Sequence, residues 1–318
     1  MPATSAVVTV LWAVFGIAMF YLVFIFAPSL VGLIGMFSRI EEGRTSFDAP
    51  VKDYMTKYSG MIEEGRSYLL GLRYEKAAIG SSDGLTLCGF YFDRQAEKTV
   101  LLVHGYHATA MVNFAWHAME FIKRGYNVLM ICQRAHCESG GRFCSMGIRE
   151  SEDAARWTEY LKGRGCRKIA VYGISMGAAC VGLASDQFDS GSVKALVMDC
   201  GFVSPYSQIK RELRRRHLPA FAMLPVMSVL SKIIFRADIR KKAADSLKKC
   251  SIPVCFIHGE ADMTVAPGDS GKNYESCASE KQIYMIKDAP HTAGLLGADN
   301  ETKEKIFGFI ESCMQKEK

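Results

Sequence analysis

What this chain lacks narrows it before anything it contains. It has no internal repeat and no low-complexity tract, so repeat architectures and compositionally disordered tails are set aside. No zinc-finger spacing and no aromatic–basic RNP pattern occurs, and a formal charge of +6 is modest, so no nucleic-acid partner is expected. There is no G-x-G-x-x-G and no lysine-bearing P-loop, which removes the usual phosphate cradles. Eleven cysteines are present without a paired C-x-x-C or a repeated framework. Cys132, His136 and Cys137 therefore read as structural residues rather than a metal site, and no metal or cofactor is expected. An odd cysteine count also fits a reducing compartment better than a disulfide scaffold.

Charge is missing where it matters most. From Ala6 to Phe37 there is no charged residue. The part before Pro28 spans roughly 33 Å as a helix, enough to cross a bilayer. Lysine and arginine are absent before the run and no A-x-A site follows it, so a membrane anchor at 1–37 is expected rather than a cleaved signal peptide. Arg39, Arg44, Lys52 and Lys57 follow the span, whereas Glu41 and Glu42 carry little weight in the positive-inside rule. The portion after the span is therefore expected in the cytoplasm, tethered by a single pass. Residues 38–70, with Gly43, Gly60 and Gly65 among alternating charges, read as a juxtamembrane linker with one helix.

The chemistry is carried by Gly173-Ile174-Ser175-Met176-Gly177. The apolar run Lys168–Tyr172 precedes it and the small-residue run Ala178–Ala184 follows, the sequence form of a nucleophile elbow. Gly173 and Gly177 remove side chains that would clash in a strained turn. Ser175 would then sit at a helix N-terminus, where amides and dipole favour developing negative charge. A serine needs a base and an orienting acid, expected downstream in the order acid, then histidine. The buried run Ile252–His258 leads into Glu260-Ala261-Asp262, and Gln282–Ile286 leads into Asp288-Ala289-Pro290-His291. His291 is the candidate base and Asp262 the candidate acid. Asp199, at the end of the preceding strand, and Glu260 are the rivals for the acid. Val100–Val103 runs into His104-Gly105-Tyr106, so the backbone N–H groups of Tyr106 and Met176 are the candidate oxyanion donors.

On His104-Gly105-Tyr106, Gly173–Gly177, His258–Asp262 and Pro290-His291 the chain resembles the α/β-hydrolase superfamily over roughly residues 70–315. Within it, the chain looks most like bacterial membrane-anchored hydrolases of the serine aminopeptidase-like and esterase-like group. Arg134-Ala135-His136-Cys137-Glu138-Ser139 is similar to the superfamily's R-x-H-G-x-S turn, with Cys137 in place of glycine. The resemblance implies an α/β fold with an eight-stranded, mostly parallel sheet, helices on both faces, and hydrolysis of a carboxylic ester, thioester or amide.

Strands alternating with helices from Thr99 onward point independently to right-handed crossovers and a parallel sheet. The catalytic domain is assigned to 71–318. Between Asp199 and Ile252 lie about fifty residues, too many for a simple crossover. Pro205, Pro219 and Pro225 divide them, and a helical cap is expected at about 203–240. Its first helix, Ser207–His217, would carry Lys210, Arg211, Arg214, Arg215 and Arg216 on one face, either solvated or set against acidic headgroups or substrate. Its second, Pro225–Phe235, is apolar; Met227, Leu230 and Ile234 are expected to line an acyl pocket. The expected function is a serine hydrolase acting on esters or thioesters through an acyl-enzyme. The alternatives are a serine peptidase or amidase, and a non-catalytic membrane-tethered binding protein.

Overall fold

The computed structural model describes residues 2–39 and 53–316. It opens with one continuous apolar helix in three parts: α1 (Pro2–Tyr21), a π turn (Leu22–Phe26) and α2 (Ala27–Phe37). Ala6–Phe37, with mean hydropathy 2.5, is long and apolar enough to cross a membrane. Pro28 falls in the first turn of α2, next to the π turn, where a missing N–H is tolerated. Every side chain from Ala6 to Phe24 is exposed, whereas Ser29, Leu33 and Phe37 are buried against the domain. The helix thus has a free half and a docked half.

Arg44 and Lys52, used above to orient the chain, and Gly43 lie outside the described residues. The expected linker at 38–70 is corrected over its second part. A 3₁₀ turn (Asp53–Tyr58) and α3 (Ser59–Leu70) belong to the folded domain and bury Met55, Tyr58, Ile62 and Leu69. α3 packs on the helix after the third strand, α4 (Ala110–Lys123), while Met55 of the 3₁₀ turn accepts from Thr292 Oγ1 at 3.5 Å. A Cβ on Gly65 would come within 2.4 Å of the Ala115 and Trp116 backbone, so glycine alone permits this close helix crossing.

Among the described residues eight strands form one sheet: β1 (Glu75–Gly80), β2 (Thr86–Phe92), β3 (Lys98–Val103), β4 (Tyr126–Ile131), β5 (Lys168–Ile174), β6 (Val193–Asp199), β7 (Val254–Gly259) and β8 (Lys281–Ile286). Their order is β1-β2-β4-β3-β5-β6-β7-β8. β2 pairs antiparallel with β1 and β4, and every later pairing is parallel. Strand residues alternate between two apolar layers: Val100 and Leu102 join one, Leu101 and Val103 the other. One layer is closed by α3, α4 and the C-terminal helix; the other by the helices after β4 and β5 and by the docked half of the N-terminal helix. Burial on both faces explains why the central strands β3 to β7 read as continuous apolar runs.

The remaining helices are α5 (Ile148–Gly163), α6 (Met176–Leu183), α7 (Pro205–Arg215), α8 (Ala220–Ile234), α9 (Ala243–Leu247), α10 (Pro267–Ser276), α11 (Gly294–Gly297) and α12 (Asn300–Gln315). α7 and α8 fill the interval where a cap is expected. α8 begins five residues before Pro225, because Ala222 N–H and Met223 N–H both bond Pro219 O and start the helix there. Pro225 then lies inside the helix, where it withholds the N–H that would bond Phe221 O without ending the helix.

Candidate active site

The site is assembled at the carboxyl ends of β3, β5, β7 and β8, the edge where parallel sheets gather their ligands. Ser175 follows β5 directly, with φ 57° and ψ −116°, a conformation that ordinary side chains avoid. Its N–H donates to Asp199 O at 2.8 Å, which ties the turn to the neighbouring strand. The flanking glycines are required by contact. A Cβ on Gly173 would lie 2.3 Å from Gly177 O, and one on Gly177 would lie 1.8 Å from Val103 O.

The structure brings three of the expected residues together. Ser175 Oγ and His291 Nε2 are 2.9 Å apart, and His291 Nδ1 lies 2.6 Å from Asp262 Oδ2. All three side chains are largely buried. Asp262 Oδ1 accepts the N–H groups of Thr264 at 2.8 Å and Val265 at 2.9 Å. Burial acts to raise the Asp262 carboxyl, but the imidazoles of His258 and His291 and the Val265 amide prevail and hold it well below the usual carboxylate range. The loops carrying acid and base are joined: Ala261 N–H donates to Ala289 O at 3.1 Å, and Glu260 N–H to Ile286 O at 2.9 Å.

The rival acids are placed elsewhere. Glu260 is exposed. Asp199 is fully buried, accepting from Tyr172 OH at 3.0 Å and Leu295 N–H at 3.3 Å. Burial, partly offset by Tyr172, pushes its carboxyl up to about 6. Sequence reasoning missed His258. Its Nε2 stands 3.2 Å from Asp262 Oδ2, while its Nδ1 shares a hydrogen bond with Ser270 Oγ at 2.7 Å. The only signal was its place at a strand end, four residues before the acid.

Tyr106 and Ser175 line one cavity of about 210 Å³ with His291, Phe202, Gln208 and Val265. Met176 is the first residue of α6, where an N–H has no intrahelical acceptor. The turn holding Tyr106 is braced on every side. Gly105 N–H donates to Asn113 Oδ1 at 2.8 Å, and His107 N–H to His136 Nε2 at 3.0 Å. Tyr106 OH donates to Met36 O at 2.7 Å, a bond to the end of the N-terminal helix. The turn at 134–139 supplies His136, and its Arg134 is buried in a two-pronged pair with Asp153, at 2.6 and 2.7 Å. Cys137, at φ 45°, keeps the left-handed conformation that glycine favours, so the departure from the superfamily pattern leaves the turn intact.

The expected pocket residues are a correction. Met227, Leu230 and Ile234 do not line the Ser175 cavity. Met227 is buried in the core, Leu230 packs against that core, and Ile234 is exposed. α8 faces the docked half of the N-terminal helix, with Phe37 and Phe235 rings 4.9 Å apart, because that apolar surface competes for it. Among the described residues two trios have the residue types and spacing to share a metal: Cys132, Cys137 and Glu138, and Cys200, Asp262 and His291. In the first, Cys132 Sγ already donates to Glu138 Oε2 at 3.2 Å; the second overlaps the Ser175 cluster.

A sheet of this order, with a serine elbow after β5, is the α/β-hydrolase architecture. The family model described as “Serine aminopeptidase, S33” matches residues 94–246. The chain has the α/β-hydrolase fold. Family and fold support a hydrolase. This hydrolase is similar to the Bacillus subtilis protein YqkD, 26% identical over 75% of this chain and 80% of that one. It is similar to YfhR of Salmonella typhi, 24% identical over 76% of this chain and 82% of that one. Among solved structures, an esterase of Pyrococcus furiosus superposes with a TM-score of 0.64 at 24% identity, covering 78% of this chain and 94% of that one. Est1E of Butyrivibrio proteoclasticus, in complex with ferulic acid, gives 0.56 at 17%, covering 76% and 100%.

Proposed function

We propose that this α/β hydrolase is a serine hydrolase that cleaves carboxylic esters or thioesters, held at a membrane by its N-terminal helix with the catalytic domain in the cytoplasm. The single observation carrying the reading is the unbroken relay of 2.9 and 2.6 Å from Ser175 Oγ through His291 to Asp262. Ser175 Oγ attacks the acyl carbonyl while His291 Nε2 takes its proton, and Asp262 holds the ring tautomer and balances the imidazolium. The N–H groups of Tyr106 and Met176 receive the oxyanion. Collapse returns the proton to the departing alcohol or thiol and leaves an acyl-serine, which water cleaves by the same steps in reverse.

A cavity of about 210 Å³ is smaller than the usual ligand pocket of about 300–1,000 Å³, which favours a short acyl group. The family description favours a second reading, an aminopeptidase. Against it, among the described residues none that lines the cavity is a carboxylate able to pair with an ammonium group. A fluorophosphonate probe should label the wild type and not Ser175→Ala; a folded, unlabelled wild type overturns the enzyme reading in favour of a binding protein. Hydrolysis of p-nitrophenyl esters of graded chain length should exceed that of aminoacyl-naphthylamides. The reverse preference establishes the peptidase.

A further inference from the structure

The cap helix α8 is apolar on both sides. Its inward face buries Met223, Leu224 and Met227. On the opposite side Phe221, Pro225, Val229 and Ile233 recur every four residues, one stripe along the helix, and are exposed. Phe221 is 87% exposed, Val229 55% and Ile233 71%. A helix on the surface of a soluble domain turns polar residues outward. Here Lys232 is the single charged residue in Ala220–Ile234.

The position of α8 says what covers that stripe. α8 packs against α2 and also against the π turn Leu22–Phe26. That turn sits where the free half of the N-terminal helix meets the docked half. The free half, Ala6–Phe24, is about 28 Å long at 1.5 Å per residue, the thickness of a bilayer's hydrocarbon. A membrane crossed by that half ends at the level of α8. α8 itself, with 15 residues, is too short to cross, and one of its faces is already occupied.

Charge points the same way. Residues 210–242 hold ten lysines and arginines and two acidic residues, an excess of eight where the whole chain carries +6. Arg214, Arg215 and Arg216 are exposed just before α8, and Arg236, Arg240, Lys241 and Lys242 just after it. Glu212 pairs with Arg215 and Arg216, and Asp238 lies 3.4 Å from Lys232, which leaves the rest of the cluster uncompensated by these two acids. An apolar stripe with basic ends is the pattern of a helix lying in a membrane surface.

We propose that α8 lies in the lipid–water interface of the membrane crossed by the N-terminal helix, its stripe at the acyl boundary and its flanking arginines and lysines on anionic headgroups. This rests on the anchor reading above and is independent of the reaction catalysed. It seats the cap on the bilayer. α7, which contributes Gln208 to the Ser175 cavity, is then at headgroup level, so amphipathic acyl substrates reach the site from the membrane surface.

The test uses the full chain in nanodiscs of phosphatidylcholine with or without phosphatidylglycerol. Photoreactive benzoylphenylalanine replaces, one at a time, Phe15 in the free helix, Val229 or Ile233 on the stripe, and Glu301 on α12 across the sheet. Irradiation is expected to attach lipid at 15, 229 and 233 but not at 301, with the yield at 229 and 233 rising several-fold when phosphatidylglycerol is present. Lipid adducts at 15 without any at 229 or 233 overturn the proposal and leave the anchor standing. No adduct at 15 overturns the anchor itself. Yields indifferent to phosphatidylglycerol overturn the headgroup part, and protein–protein adducts at 229 or 233 assign the stripe to a second copy of the chain instead.

Discussion

Two carboxylates stand at the ends of neighbouring strands, Asp199 closing β6 and Asp262 in the loop after β7, and the fold treats them in opposite ways. Both are buried. Asp262 is given two imidazoles and two backbone amides, and stays ionised. Asp199 is given a phenol and one amide, its Oδ1 has no partner among the described residues, and burial pushes it up to about 6. Depth alone therefore does not set a carboxylate's charge; the donors aimed at it do. An acid with this many donors can steady an imidazolium, whereas Asp199 braces β5, β6 and the loop leading into α11.

That contrast can be broken in four steps of falling size. Ser175→Ala should lower kcat by about 10⁴-fold or more, measured on a p-nitrophenyl ester, and sets the floor for the others. Asp262→Asn should cost about 10²–10⁴-fold in kcat, since the amide favours the wrong imidazole tautomer. If Asp199→Asn costs as much as Asp262→Asn, the assignment of the acid is wrong. His258→Gln should cost about tenfold in kcat, because the Asp262 carboxylate loses the imidazole that stands 3.2 Å from its Oδ2. An unchanged kcat would show that His258 only packs.

Asp199→Asn should leave kcat within about threefold and change stability instead. The folded state binds this proton more tightly than a free aspartate of 3.8, so wild-type stability falls as pH rises through the window from there to about 6. Thermal melts of the variant should lose that slope and gain a few degrees in Tm at pH 7. A wild type with no slope in this window would sink the proposed contrast.

The relay residues were legible because their chemistry demands particular neighbours. Gly173 and Gly177 advertise the elbow, and strand ends before Asp262 and His291 place them on one rim of the sheet. The parallel sheet was legible in apolar runs such as Val193–Asp199 because burial on both faces removes alternation. Two things were not. An apolar helix such as α8 announces that it will be covered, but not by what; the docked half of the N-terminal helix, far away in sequence, competed with the cavity and won. Gly65 looked like a flexible linker residue, and only the Ala115 backbone beside it reveals a packed crossing.

The bond from Tyr106 OH to Met36 O gives the tether a second duty. The His107 ring, 3.3 Å from Ser38 O, adds a second link to the same turn, while Phe37 O accepts from Cys144 N–H and Arg39 N–H donates to Arg142 O, both at 2.8 Å, so residues 36–39 join the Tyr106 turn to the loop at 142–144. Where a protease cuts then decides what is lost. Release near residue 24 would remove the spanning half and leave α8 as the remaining membrane contact, whereas trimming to residue 40 is expected to lower turnover although Ser175, His291 and Asp262 all survive.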